Sequence, residues 1–399
     1  MAGRTPKPNA IDIAARRKLL NKIAGGNVTY DLNEENPTDV NYWIRTGSTW
    51  LDAIICRGQM AGIPGGKITE IAGLQSVGKS YEALQIAVNA QNDLDMTVVY
   101  GDPESGMNSD FMRQAGCDLN KLIYVQPPDL ETWYEIMEEM LKNCQPGERM
   151  LFILDSLASI PCRADNEGDY NPNSSVGVKA RVQSKSLMKL NMPLAHADAT
   201  YIILNQLKTN ITGMSKVPNP KYATDSQRYI APGGKAAEYF ASLRIWLTGS
   251  QSKKLKVLDE NGYRIGSYVK ARLEKSRFGS QDRTCEFKIL WGDEVGVMDE
   301  ESILEAIKPA DEITLGQWCK LEHGGKTWKW QGAEPGFVKL MREDEEFNKA
   351  VMHILHRDIV LAFEERTGDA KNFYDPTPEE MREADKLAKA AEEAAAEND

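Results

Sequence analysis

This chain of 399 residues has no apolar run long enough to cross a bilayer, and its opening lacks the pattern of a secretory leader. No membrane association is expected. Cysteine is scarce and scattered: Cys56, Cys117, Cys144, Cys162, Cys285 and Cys319 form no C-x-x-C pair. Their spacing argues against a disulfide framework and against a zinc site, so a reducing cytoplasm is the expected setting. Histidine numbers four. His353 and His356 have H-x-x-H spacing, but with no third ligand in view they read as helical surface. No internal repeat recurs, which sets solenoids and propellers aside. A positive balance is lacking as well. A formal charge of −11 argues at first against a nucleic-acid partner. From Asp375 to Asp399, however, nine acidic residues stand against three basic ones, a net −6 in an Ala/Glu/Lys-rich stretch that reads as solvated helix or disordered tail. The first 22 residues lean the other way, with Arg4, Lys7, Arg16, Arg17, Lys18 and Lys22 against Asp12. Global charge therefore excludes little.

What is present is more telling. A hydrophobic content of 41% and a charged content of 27% suit a globular protein, and the length allows a core domain of about 250 residues with smaller appendages. Gly73-Leu74-Gln75-Ser76-Val77-Gly78-Lys79-Ser80 fits G-x-x-x-x-G-K-[ST] at every position. The apolar run Ile68 to Ala72 before it reads as a strand, and Tyr81 to Val88 after it carries helical spacing. In that context the glycines let backbone N–H groups face a β-phosphate, and the helix N-terminus adds positive dipole. Lys79 would reach the β- and γ-phosphates, and the Ser80 hydroxyl would complete a Mg²⁺ shell. A nucleoside triphosphate is the expected ligand.

A basic N-terminal helix runs from about Ala10, with Ile11, Leu19, Leu20 and Ile23 near one face, and stops at Gly25-Gly26. Residues 27 to 45 are polar and irregular. After the phosphate loop, strands at Met96–Tyr100, Met150–Leu154 and Tyr201–Leu204 alternate with helices at Glu131–Leu141 and roughly Val178–Leu190. Continuous apolar strands between helices predict an α/β fold with a mainly parallel sheet covered on both faces. Strands at Leu243–Leu247, Val269–Leu273 and Cys285–Leu290 are expected to extend it in antiparallel fashion. Beyond Glu301 a segment rich in Trp, Lys and Gly leads into helices near Asp344 to Glu365, and reads as a small α+β domain. The expected divisions are 1–35, a core at 36–302, 303–374, and the acidic tail 375–399.

Three further residues belong at the carboxyl edge of such a sheet. Asp155 ends an apolar strand where the acidic partner of a magnesium shell is expected. Glu104 follows another strand and could polarise an attacking water, with Asp102 a rival that spacing does not separate from it. Gln206 follows a third, and could touch a γ-phosphate and report its loss.

These residues resemble the RecA family of DNA recombinases, and within it the phage branch typified by UvsX. The matching stretches are Arg45 to Asp52, the phosphate loop, Asp102-Pro103-Glu104, Leu154 to Ala158, Leu204 to Lys208, Gly233 to Ala236 with Tyr239 to Ser242, Glu274 to Arg277, and Phe287 to Gly292. They occur in family order from about residue 45 to 297. The resemblance implies a RecA-type P-loop ATPase core and helical homo-oligomeric filaments on single-stranded DNA. It also implies DNA-dependent ATP hydrolysis between adjacent subunits, and strand exchange with homologous double-stranded DNA. ATP and Mg²⁺ are the implied cofactors. Single-strand-binding and mediator proteins are implied partners, and the cytoplasm, that of a host cell for a phage protein, is the implied location. It selects Glu104 over Asp102 as the catalytic carboxylate and makes Gln206 the γ-phosphate sensor. Lys275 and Arg277 match a basic pair that reaches the neighbouring subunit's nucleotide. Tyr81 adjoins the phosphate loop, and Phe111 and Trp291 fall where the family places contacts to adenine. The N-terminal helix resembles in position the family's subunit-docking element.

Two polar loops would hold DNA. The first spans about 162–176. The second spans about 207–232, carries Lys208, Lys216, Lys221 and Arg228, and ends in Gly233-Gly234, which permit close backbone approach to phosphate. On the helix after the first loop stand Lys179, Arg181, Ser184 and Lys185, with Arg181 at the family's phosphate-contacting position. Both loops look longer than in bacterial RecA, so contacts within them do not transfer by position. Base-stacking aromatics are sparse, with Tyr170, Tyr222 and Tyr229 the candidates. Two rival readings are a hexameric helicase built on the same core, and a DNA-binding filament protein switched by ATP without strand exchange.

Overall fold

The computed structural model describes residues 13–34, 37, 39–167, 177–210, 223–249, 256–292 and 295–361. Most of the first loop, the tip of the second, and the acidic stretch 375–399 lie outside them.

Helix α1 (Ile13–Ala24) is followed by strand β1 (Trp43–Ile44), helix α2 (Thr49–Ile55) and strands β2 (Ile63–Pro64) and β3 (Ile68–Gly73). Next come α3 (Lys79–Leu94), β4 (Thr97–Gly101), α4 (Ser109–Gln114), β5 (Leu122–Val125), α5 (Leu130–Lys142) and β6 (Met150–Leu154). Then follow α6 (Arg163–Glu167), α7 (Val178–His196), β7 (Thr200–Gln206), β8 (Lys208–Thr209) and β9 (Tyr229–Ile230). The core closes with β10 (Leu243–Gly249), β11 (Lys256–Leu258), β12 (Arg264–Ser276), β13 (Thr284–Trp291) and β14 (Val295–Val297).

Among the described residues, ten strands form one sheet in the order β14-β13-β12-β10-β3-β7-β6-β4-β5, with β11 on β12. The six from β10 to β5 are parallel. This refines the expectation: β10 joins in parallel with β3, and the antiparallel extension begins at β12. Strands β3 and β6 are buried along their whole length, as a sheet covered on both faces requires. On one face Ile71, Val98, Leu204 and Ile245 pack with Leu84, Ile86 and Ala87 of α3. On the other, Ile68, Phe152, Tyr201 and Ile203 pack with Trp133 and Met137 of α5 and with Leu187, Leu190 and Leu194 of α7.

Helix α7 runs past the expected end at Leu190 in spite of Pro193. Proline removes one helical N–H, but Leu194 is fully buried against α5 and Ala197 N–H still closes the last turn on the Pro193 carbonyl at 3.0 Å. Packing outweighs the local break.

Residues 299–360 hold a helix (Asp299–Ile307), the three-stranded antiparallel sheet β15 (Ile313–Thr314), β16 (Trp318–His323) and β17 (Lys326–Gln331), and helices Ala333–Glu343 and Glu345–Ile359. Trp330, Phe337 and Phe347 centre a cluster of their own, which also takes in Ala53 of α2. His353 of the H-x-x-H packs its ring 4.9 Å from that of His323. Among the described residues no helix is long and apolar enough to cross a membrane, and no group of His, Cys, Asp or Glu is arranged as a metal site of three or more such ligands.

Candidate functional site

Parallel strands place their carboxyl ends on one edge, and the register brings Gly73 opposite Gln206 and Gly101 opposite Leu154. The loops that follow β3, β4 and β6 meet around a cavity of about 490 Å³. Its walls include Ser76, Gly78, Lys79 and Ser80 of the phosphate loop, Asp102 and Glu104 after β4, and Asp155 after β6. Tyr81, Phe111, Arg264 and Trp291 close one side.

The phosphate loop needs its glycines where it turns. Gly78 caps α3 with φ +110°, and Ser76 adopts φ +56°. Val77 is fully buried and anchors the loop, while Gln75 is exposed. The Lys79 ammonium donates to the Gly73 and Leu74 carbonyls at 3.2 and 2.9 Å, which holds it along the loop. Burial lowers the Lys79 pKa, opposed by the charges of Asp155 and Glu104. Burial likewise raises the Asp155 pKa, against hydrogen bonds from the Ser80 and Tyr100 hydroxyls, the latter at 2.8 Å. A hydroxyl and a half-buried carboxylate paired in this way are hard oxygen donors, and the donor set suits Mg²⁺.

The two carboxylates after β4 separate by what they touch. Asp102 is 2% exposed, and its oxygens accept from Glu104 N–H (3.0 Å), Met107 N–H (2.9 Å) and the Tyr124 hydroxyl (2.9 Å). It folds the turn. Glu104 is exposed at the cavity, where one oxygen accepts from the Ser156 hydroxyl at 3.2 Å. Gln206 is half-buried at the end of β7 beside Gly73 and does not line the cavity.

Phe111 and Trp291 both pack on Tyr81, with ring centroids 4.5 and 5.3 Å away. Arg264 is the residue that sequence reasoning missed. Its guanidinium lies 5.1 Å over the Trp291 ring and donates to the Ser76 carbonyl at 2.8 Å, so it ties the aromatic wall to the phosphate loop. An arginine 188 positions from its partner carries no local signal.

Lys275 and Arg277 are not brought to this cavity. They stand at the opposite, amino edge of the parallel strands, where Lys275 pairs in register with Arg244, and the Lys275 and Arg277 side chains donate to the Tyr239 carbonyl at 3.1 and 3.0 Å. Arg277 also borders a cavity of about 430 Å³ shared with Tyr30 and Pro37, residues that follow α1.

At the base of the second loop β8 pairs with β9, and Lys208 is exposed. The helix Asp225–Arg228 lies on β12, with Asp225 paired to Lys270 at 3.5 Å and Ser226 accepting from Arg272 at 2.9 Å. Gly233 and Gly234 have φ +99° and +74° and press on α7, where a Cβ on Gly233 would meet Gln183 Oε1 at 2.8 Å and one on Gly234 would meet Ala180 Cβ at 2.9 Å. Thus the second loop's base abuts the helix that follows the first. On that helix Arg181, Ser184 and Lys185 are exposed, whereas Lys179 is half-buried and donates to the Leu157 and Ala158 carbonyls at 3.4 Å. Tyr170, Lys216, Lys221 and Tyr222 lie outside the described residues.

Residues 10–296 match the family model of the RecA N-terminal domain. The chain is 29% identical over 357 residues to protein RecA of Sulfurimonas denitrificans, covering 89% of this chain and 93% of that one. It is 28% identical over 305 residues to protein RecA of Saccharopolyspora erythraea, covering 76% and 80%, and 29% identical over 350 residues to protein RecA of Wolinella succinogenes, covering 88% and 91%. The chain belongs to the RecA family.

Proposed function

We propose that this chain is an ATP-dependent recombinase that polymerises head to tail on single-stranded DNA, hydrolyses ATP between neighbouring subunits and pairs the bound strand with a homologous duplex. The observation that carries the reading is the separation of its cationic residues: the phosphate loop on one edge of the sheet, Lys275 and Arg277 on the other. One subunit supplies half a site at each edge, and a heterologous contact that repeats such halves generates a helix when its rotation does not close into a ring. The uncovered face of α1 supports the same assembly, since Ile13, Leu19, Leu20 and Ile23 are 51–73% exposed in the single chain.

Within one site, Lys79 and the phosphate-loop N–H groups hold the phosphates, and Tyr81, Phe111 and Trp291 form the adenine wall. Ser80 and Asp155 would hold Mg²⁺, which would supply positive charge to offset that of the phosphates. Glu104 orients and polarises the attacking water. Gln206 senses the γ-phosphate, and Lys275 and Arg277 of the preceding subunit stabilise charge on the transferring group, so hydrolysis requires assembly. Arg181, Ser184, Lys208 and the Gly233-Gly234 backbone contact phosphates, which predicts sequence-independent, salt-sensitive DNA binding. The motif set also supports membership of the phage branch typified by UvsX, and with it a host-cell cytoplasm.

Electron microscopy with single-stranded DNA and a non-hydrolysable ATP analogue tests this. Helical filaments are expected, and closed rings would sink the recombinase reading in favour of a helicase. A D-loop assay then separates a recombinase from a passive filament. Deleting residues 1–26 is expected to abolish filaments and leave the core folded.

A further inference from the structure

Glu70 stands in the middle of β3, just ahead of the phosphate loop, and is 1% exposed. Both its carboxylate oxygens are engaged. Oε2 accepts from Arg244 Nε at 2.6 Å, and Oε1 accepts from Asn205 Nδ2 at 2.9 Å. That same Asn205 Nδ2 donates to the Pro232 carbonyl at 2.8 Å, and Asn205 Oδ1 accepts from Gln206 N–H at 2.9 Å. Arg244, 8% exposed, lies opposite Glu70 on β3 and opposite Lys275 on β12.

An ion pair closed off from water loses much of its hydration, and apolar residues of equal volume are often as stable. Stability alone therefore does not explain two charges in the middle of this sheet. An apolar pair could not accept the Asn205 N–H, and the carboxamide would lose the partner that sets its plane. Asn205 is the junction: one end holds the backbone of Gln206 at the nucleotide edge, the other holds Pro232 at the base of the second loop.

We propose that Glu70 and Arg244 are a positioning pair, which fixes the Asn205 carboxamide so that a change at Gln206 moves Pro232 and Gly233-Gly234, with the row of strands extending the link to Lys275. The inference rests on the reading of the chain as an ATP-dependent DNA-binding filament. Coupling between two ligands is reciprocal: the factor by which ATP tightens single-stranded DNA equals the factor by which DNA tightens ATP.

The test measures that factor in wild type, Glu70→Gln and Arg244→Lys, using a fluorescent non-hydrolysable ATP analogue and labelled oligothymidylate. The variants are expected to bind the analogue alone within about twofold of wild type, while the coupling factor falls at least about tenfold in both directions. A loss of stability alone would not move that ratio. Should Glu70→Gln fail to fold, Asn205→Leu, which keeps the ion pair and removes the link to Pro232, carries the same expectation. A wild type that couples and folded variants that couple within about twofold of it overturn the pair's role. A wild type whose DNA affinity ignores the nucleotide overturns the functional reading and the pair's role together.

Discussion

Arg264 and Lys275 lie near the two ends of the same 13-residue strand, the first bonded to the phosphate-loop carbonyl of Ser76 at 2.8 Å, the second to the Tyr239 carbonyl at 3.1 Å on the far edge of the sheet. At about 3.3 Å per residue the strand keeps them more than 30 Å apart. Lys275 is level in register with Arg244 and Glu70, toward the strand ends away from the phosphate loop, and under the proposed shared site it would act on the nucleotide of another subunit.

Complementation tests this directly. Lys79→Ala and the double variant Lys275→Ala/Arg277→Ala are each expected to lose DNA-dependent ATPase by about 100-fold or more. Mixed in equal amounts, they are expected to recover about a quarter of wild-type activity, the share of interfaces joining an intact phosphate loop to an intact basic pair. Steady-state ATPase on single-stranded DNA reads the outcome. A mixture no better than its components would refute a shared site.

The two acids after β4 should separate by what they do. Glu104→Gln is expected to lower kcat by about 100-fold or more with nucleotide affinity kept, since it removes a base and leaves the fold. Asp102→Ala strips the turn of three hydrogen bonds and is expected to destabilise by about 2–4 kcal/mol. Urea melts and single-turnover hydrolysis distinguish the two. Equal loss of stability in both variants would contradict the assignment.

Arg264→Ala is expected to weaken nucleotide binding by about 5- to 20-fold through loss of the Trp291 stack and the Ser76 contact, with kcat little changed. Titration with a fluorescent ATP analogue checks it, and an unchanged dissociation constant would count against the contact.

Stability should depend on pH through Asp52. It is buried on α2 and accepts from Thr46 N–H and Oγ1 at 3.1 and 2.8 Å, and burial raises its pKa to about 7, with Asp299 adding to the shift and Arg45 opposing it. The folded chain therefore binds this proton more tightly than the unfolded chain. The contribution is complete below about pH 4 and is lost as pH rises through 7, at about 1.4 kcal/mol per pH unit between those limits. Asp52→Asn keeps the acceptor and removes the titration. Its stability relative to wild type should rise by about 2.7 kcal/mol from pH 5 to pH 8 in urea melts. A difference independent of pH would disprove it.

The loop residues Ser76, Gly78, Lys79 and Ser80, together with Asp155 and a carboxylate at Asp102 or Glu104, were legible in the chain before any folding was considered; Phe111, Trp291 and the choice of Glu104 came from the resemblance, and all of these residues line one cavity. The reason is local. A phosphate loop is a run of adjacent residues whose glycines and lysine must follow one another, and apolar strands announce the sheet edge at which the carboxylates fall. The parallel core was legible for the same reason, because strands covered on both faces are apolar along their whole length.

Other features came only from the tertiary structure. Asp102 and Glu104 are near neighbours with the same chemistry, and only the folded turn shows which one spends its oxygens on backbone. Lys179 sits in a basic-looking run but turns inward to the Leu157 and Ala158 carbonyls. Arg264 meets Ser76 and Glu70 meets Arg244 across 188 and 174 positions. Residue spacing by itself identified a nucleotide loop and the sheet that carries it. Strand order decided that the loop shares its protein with a basic pair on the opposite edge, because contacts between distant parts of a chain are set by which strands lie side by side, and no local pattern of residues encodes that order.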